Sequence, residues 1–226
     1  SDNFTPYTGP LDPRLDYTVG RRGIDYNGYG PMPGSSWIEA SSADISGPYL
    51  PKKNIYWAGE ESNMGTGDWG QQSSGINYHI LRYADVLLMA AEAAVELGDL
   101  DLALDYVNRV RTRAKNMTYV QNETGSGSAA NYQIEPYPSF SDQDYARKAV
   151  RMERRLELAM EGHRLFDIRR WGNGVDIMNN YFVNEARTIP NFGNKVGAYE
   201  SKNDLFPIPL TAIDLSGGVL KQNPGF

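Results

Sequence analysis

Between Tyr145 and Trp171 the chain reads YARKAVRMERRLELAMEGHRLFDIRRW, and this stretch limits the fold more than any other. Tyr145, Ala149, Met152, Leu156, Ala159, His163 and Phe166 recur at steps of three and four, one face of a helix. Arg147, Lys148, Arg151, Glu153, Arg154, Arg155 and Glu157 crowd the opposite face. Ser141 and Asp142 precede it as N-cap residues, and Gly172 and Gly174 follow it as stop signals. The pattern predicts one uninterrupted helix within residues 141–172, roughly 40 Å long at about 1.5 Å per residue.

The 226 residues are enough to bury a core, as one domain or two small ones. A net charge of −6 without a basic stripe argues against a nucleic-acid partner. Cysteine is absent, which removes disulfides, thiolate metal sites and a Cys nucleophile, and leaves the redox compartment undetermined. No run reaches the roughly eighteen apolar residues of a membrane span, and no secretion signal opens the chain. Because the chain starts at Ser1 rather than Met, a processed product or a fragment is expected.

Residues 1–77 are rich in Gly, Pro, Ser, Asn and aromatics and show little periodicity. They carry Trp37, Trp57 and Trp69, whereas disordered linkers are poor in aromatics. An ordered, irregular coat is expected there, with short strands near Leu15–Val19 and Asn54–Trp57. Residues 78–116 then predict two helices joined by the GDLD turn, which must lie antiparallel. Leu87, Ala91, Gly98, Ala103, Val107 and Val110 resemble one tetratricopeptide unit, and a single unit cannot close a solenoid. Residues 173–226 read as an extended tail with short helical possibilities at Val175–Asn184 and Thr211–Leu215. The fold class is therefore mainly α: a helical hairpin and one long helix, with long irregular aromatic-rich loops.

The carboxylates Glu153, Glu157 and Glu161 sit four apart, each with arginines at helical spacing: Arg147, Arg154 and Arg164. Such pairing lowers a carboxyl pKa, whereas a general acid needs it raised, so salt bridges are expected. Asp167, between Arg164 and Arg170, is assigned to the same network. The two histidines, His79 and His163, lack a second ligand at metal spacing. No nucleophile elbow, Walker loop or dinucleotide fingerprint is present, and Glu60-Glu61 and Asp99/Asp101 lack calcium-loop spacing. The sequence thus predicts no catalytic residue, metal or cofactor.

The aromatic-rich front third remains. Flat Trp and Tyr faces stack on the C–H faces of sugar rings while neighbouring polar groups bond the hydroxyls. By location the ligand-binding candidates are Tyr26, Tyr29, Trp37, Trp57 and Trp69, with Tyr56 beside them. The alternative is that these rings simply hold loops onto helices.

Several segments, in order, resemble the SusD/RagB outer-membrane lipoproteins, specifically their C-terminal half. They are DPRL at Asp12–Leu15, LRYADVLLMAAEA at Leu81–Ala93, RMERRLELAMEGHRLFDIRRWG at Arg151–Gly172, LFPIP at Leu205–Pro209 and QNPGF at Gln222–Phe226. The resemblance implies a stack of tetratricopeptide-like helix pairs with a loop-rich ligand-binding portion. It implies a non-enzymatic nutrient-binding protein on the extracellular face of the outer membrane, used in polysaccharide utilization. The implied partners are a TonB-dependent, SusC-like transporter and an oligosaccharide or polysaccharide ligand. Membrane attachment is implied only through an N-terminal lipid anchor absent from this chain. The matched residues Arg82, Glu92, Arg154, Glu157, Glu161, Arg164, Asp167, Arg170 and Trp171 are read as architectural. Two further readings are kept: a tetratricopeptide-type adaptor binding peptides, and a glycoside hydrolase.

Overall fold

The structure is a computed structural model that describes residues 4–39, 47–66, 72–189 and 191–226. It divides into two compact units, Ser1–Ala43 with Pro48–His163, and Asp44–Gly47 with Arg164–Phe226.

In the first unit, α1 (Leu15–Thr18) is one turn, followed by β1 (Val19–Gly20) paired antiparallel with β2 (Leu50–Pro51). A second ribbon pairs β3 (Met64–Thr66) with β4 (Gln72–Ser74). The other described residues of the front third are turns and irregular segments with two single-turn 3-10 helices, Ser35–Trp37 and Glu61–Asn63, in keeping with its Gly, Pro and Asn content. The expected strands lie elsewhere: Leu15–Thr18 is helical, and Asn54–Trp57 is irregular because Asn54 turns the chain at φ 61°.

The core is helical. In α2 (Tyr83–Leu97) the residues Leu88, Ala91 and Val95 are fully buried, at helical spacing. Gly98, at φ 82°, ends α2 by donating its N–H to the last-turn carbonyls, and the Asp99 side chain accepts from Leu102 N–H to open α3 (Leu100–Lys115). Ala103 and Ala91 are both fully buried between the two, so the hairpin is close-packed. The Asp142 carboxylate caps α4 (Gln143–Glu157), which lays Ala146, Ala149 and Val150 against the hairpin.

The single long helix is not formed. α4 ends at Glu157, and a new helix, α5 (His163–Arg170), starts after five residues of turn in which Met160 and Gly162 take φ 65° and 83°. Left-handed residues cannot continue the α-helical hydrogen-bond ladder. The carbonyls released at the break find other donors. Lys53 Nζ reaches Glu157 O at 2.9 Å and Arg82 Nη2 reaches it at 3.2 Å, while the Tyr78 hydroxyl reaches Glu161 O at 3.2 Å. These partners stabilise the interruption without any loss of periodicity in the sequence.

The second unit forms the short helices expected at Val175–Asn184 and Thr211–Leu215 and is not extended throughout. It holds most of α5, then α6 (Gly174–Glu185) and α7 (Leu210–Leu215), giving seven α-helices among the described residues. The Asn179 side-chain amide bonds both the N–H and the C=O of Tyr199, at 2.8 and 2.9 Å, and the buried Tyr199 hydroxyl donates to Asp204 at 2.8 Å. These bonds fix the loop after α6. Ile208 and Gln222 exchange two hydrogen bonds that pin the chain on either side of α7.

Candidate ligand-binding site

The most elaborate side-chain cluster lies in the first unit, where the acidic edge of α4 meets cations from four other segments. Asp12 holds Arg14 in place through Nε and Nη2, at 2.9 and 2.7 Å. Arg14 Nη1 then bridges Glu153 Oε1 at 2.6 Å and Glu157 Oε2 at 2.9 Å. Arg111 and Arg113, two residues apart on α3, reach Glu153 Oε2 at 2.9 Å and Glu157 Oε2 at 2.8 Å. Arg82, immediately before α2, spans Glu157 and Glu161, and Lys53 Nζ closes on Glu161 Oε1 at 2.5 Å.

The sequence anticipated salt bridges but assigned the partners to the same helix. The carboxylates of Glu153 and Glu157 are buried, so they point at α3 and the front segment, and cations from those elements meet them. Burial alone would raise the carboxyl of Glu161, but hydrogen bonds from Arg82 and Lys53 override it and hold the group below its ordinary value. Asp12 behaves likewise under Arg14. Burial dominates at Lys53, whose ammonium is held below the usual lysine range.

Above this network lies a cavity of about 670 Å³, a size typical of small-ligand sites. Its wall combines the rings of Trp57, Tyr17 and Tyr78 with the amides of Asn54, Asn63 and Asn77. Tyr17 is fixed by its hydroxyl, which donates to Thr118 O at 2.9 Å. Trp57 and Tyr17 also line a neighbouring cavity of about 470 Å³, which shares Asp25, Gln121, Asn122 and Glu123 with a third of about 300 Å³. The three adjacent cavities are together called the trough, and Trp57 and Tyr17 line its first two parts.

Of the ring residues expected from sequence, Trp57 lies on the trough and is 43% exposed. Tyr26 and Trp37 instead meet edge to face, centroids 5.9 Å apart, with the Tyr26 hydroxyl donating to Pro51 O. Desolvation, and then the hydrogen bond that Tyr29 donates to Glu61 Oε1 at 2.9 Å, push its phenol up to about 12. Trp69 lies outside the described residues. Tyr17, Tyr78, Lys53 and Arg113 were not singled out beforehand. Arg14 was legible only as part of the DPRL segment.

Among the matched residues, Arg82, Glu157 and Glu161 form the network just described, and Arg154 pairs with Asp85 at 2.8 Å, both buried. Glu92 lies part-buried on α2. In the second unit Arg170 pairs with Asp167 at 2.8 Å, and the guanidiniums of Arg164 and Arg170 lie 5.8 and 5.1 Å from the centre of the Trp171 ring. Among the described residues no group of His, Asp or Glu side chains is placed to hold a metal ion, and no helix is long and apolar enough to cross a membrane.

Comparison with known proteins agrees with this architecture. The model of the SusD family matches residues 1–226. SusD-like protein P2 of Formosa agariphila is 31% identical over 195 residues, which are 86% of this chain and 33% of that protein. The crystal structure of a SusD homolog from Bacteroides thetaiotaomicron superposes with a TM-score of 0.67 at 26% identity, over 95% of this chain and 41% of that one. A SusD superfamily protein from Bacteroides vulgatus shares the fold at a TM-score of 0.58 and 23% identity, over 90% of this chain and 38% of that one. The chain thus spans about a third of the curated relative and about two-fifths of the solved structures. Matched from end to end, and mainly helical as that fold requires, it belongs to the SusD family.

Proposed function

We propose that this chain is the C-terminal part of a cell-surface glycan-binding protein that hands its ligand to a TonB-dependent, SusC-like transporter in the outer membrane. The carrying observation is the trough in which the half-exposed Trp57 stands beside Tyr17 and a row of asparagine amides. A flat ring covers the apolar face of a sugar, and fixed amides and guanidiniums bond its hydroxyls. Family membership supports the transporter partnership and the placement on the extracellular face, held there by a lipid anchor.

The peptide-adaptor reading expects spare rings to be buried, whereas Tyr29, Trp37 and Trp57 are all more than two-fifths exposed. Hydrolysis of glycosides needs one carboxyl of raised pKa. Glu161, on the cavity wall, is instead held ionised by Arg82 and Lys53. Affinity electrophoresis of the intact protein through a broad polysaccharide panel tests the proposal. Retardation that is weakened by Trp57→Ala is expected, and mobility unchanged by every polysaccharide would refute the glycan role.

A further inference from the structure

Where the cavity meets the ion network its wall is layered by charge, with the network's carboxylates behind its cations. The Glu157 and Glu161 side chains are 2% and 9% exposed, against 22% for Lys53, 28% for Arg82 and 53% for Arg113. A ligand reaching that part of the wall therefore meets N–H donors first.

The balance of the network is also positive. Among the described residues, five cations (Arg14, Lys53, Arg82, Arg111 and Arg113) face four carboxylates (Asp12, Glu153, Glu157 and Glu161). This stands against the sign of the whole chain, whose net charge is −6. Arg113 carries the surplus. Its Nη2 donates to Glu157 Oε2, a carboxylate that Arg14 and Arg82 already engage. Its Nε and Nη1 have no acceptor among the described residues, although the side chain lines the cavity.

We infer that the glycan bound in this cavity carries an anionic group, a carboxylate or a sulfate ester, and that the free edge of Arg113 binds it. The second N–H of Nη2, paired with Nε or Nη1, presents two parallel N–H groups that match two oxygens of either anion. Sugar hydroxyls also accept from it, but only an anion adds opposite charge and takes both N–H groups in one bidentate pair. Glu60, elsewhere on the wall, accepts the Trp57 backbone N–H at 3.2 Å and disfavours an anion near that ring. The acidic group therefore belongs at the Arg113 end, with an uncharged sugar face against Trp57.

This inference rests on the glycan reading, and the test separates the two. The intact protein and its Arg113→Gln variant are applied to a glycan array with uronate-bearing, sulfated and neutral members, and hits are titrated by calorimetry at low and high NaCl. Preference for acidic members is expected, with affinity falling about tenfold or more in Arg113→Gln and falling with added salt in the unaltered protein. The uronate and sulfate arms tell the two anions apart. Neutral members bound as tightly as acidic ones, with no effect of Arg113→Gln or of salt, would overturn the anionic ligand while leaving glycan binding intact. Retention of no member of any class would overturn both.

Discussion

Arg82 and Glu161 meet side-on: Nε donates to Oε2 and Nη2 to Oε1, each at 2.8 Å. Arg82 stands at the entrance to α2 and Glu161 in the turn that ends α4, so this fork ties the start of the hairpin to the interruption after α4. Arg82 also donates to the Glu157 carboxylate and carbonyl, and so holds that turn through side chain and backbone alike.

Removing cations from this network is expected to cost stability in the order of their burial. Arg14→Ala removes the most buried cation from two buried carboxylates, Glu153 and Glu157, and lowers the unfolding free energy by about 3 kcal/mol. Arg82→Ala, at a more exposed position, costs about 2 kcal/mol. Arg113→Ala costs less than about 1 kcal/mol, because that side chain is mostly in water. Urea titrations of the three variants check the order, and equal losses would contradict it.

The break after α4 depends on Gly162 at φ 83°, a conformation that a Cβ disfavours even where space is free. Gly162→Ala is expected to lower stability by about 1–2 kcal/mol. Thermal unfolding followed by far-ultraviolet circular dichroism measures the loss. A gain in stability would mean that residues 158–162 prefer to be helical.

Acid should loosen the network. The carboxyls of Glu161 and Asp12 lie below their ordinary values of 4.5 and 3.8 when folded, so within the window below those values the unfolded chain binds more protons. Their contribution to stability is complete above about pH 5 and is lost as pH falls through the folded values. Denaturant midpoints from pH 6 to pH 3 should show this fall, and Glu161→Gln should flatten it.

In the helical core, Leu88 is wholly buried where α2 meets its neighbours. Leu88→Ala is expected to cost about 2–5 kcal/mol through lost burial and the cavity left behind. Chemical denaturation checks this.

Binding should distinguish the tryptophans. Trp57→Ala is expected to weaken glycan affinity about tenfold, since it removes a stacking face on the trough. Trp37→Ala should leave binding nearly unchanged, because that ring meets Tyr26 instead. Calorimetry with the best-retained polysaccharide measures both.

The hairpin was legible because Leu88, Ala91 and Val95 keep one period and Gly98-Asp99 ends one helix and caps the next. The first part of the long stretch was legible for the same reason. Its interruption was not, because nothing at Met160 marks a left-handed turn, and the groups that favour it, Lys53, Tyr78 and Arg82, lie 75 or more positions away. The site was legible in kind more than in detail. Trp57 could be chosen as an aromatic in an irregular segment, but so could Trp37, and no local pattern separates a ring facing a cavity from one facing a tyrosine. Arg113 reads from sequence as an ordinary solvated helix charge, and only the three-dimensional count of ions around Glu157 distinguishes it.

Glu157 gathers Arg14, Arg82 and Arg113 from 143, 75 and 44 positions away. Contacts this distant impose the entropy of closing large loops and reward it only once both ends are in place. The hairpin of neighbouring helices is local and can assemble early, whereas the ion pairs of the leading segment with Glu153 and Glu157 form only once α4 has docked. Order in the cavity wall is therefore expected to lag behind the helical scaffold as the chain folds, because its ionic ties span the greatest lengths of chain.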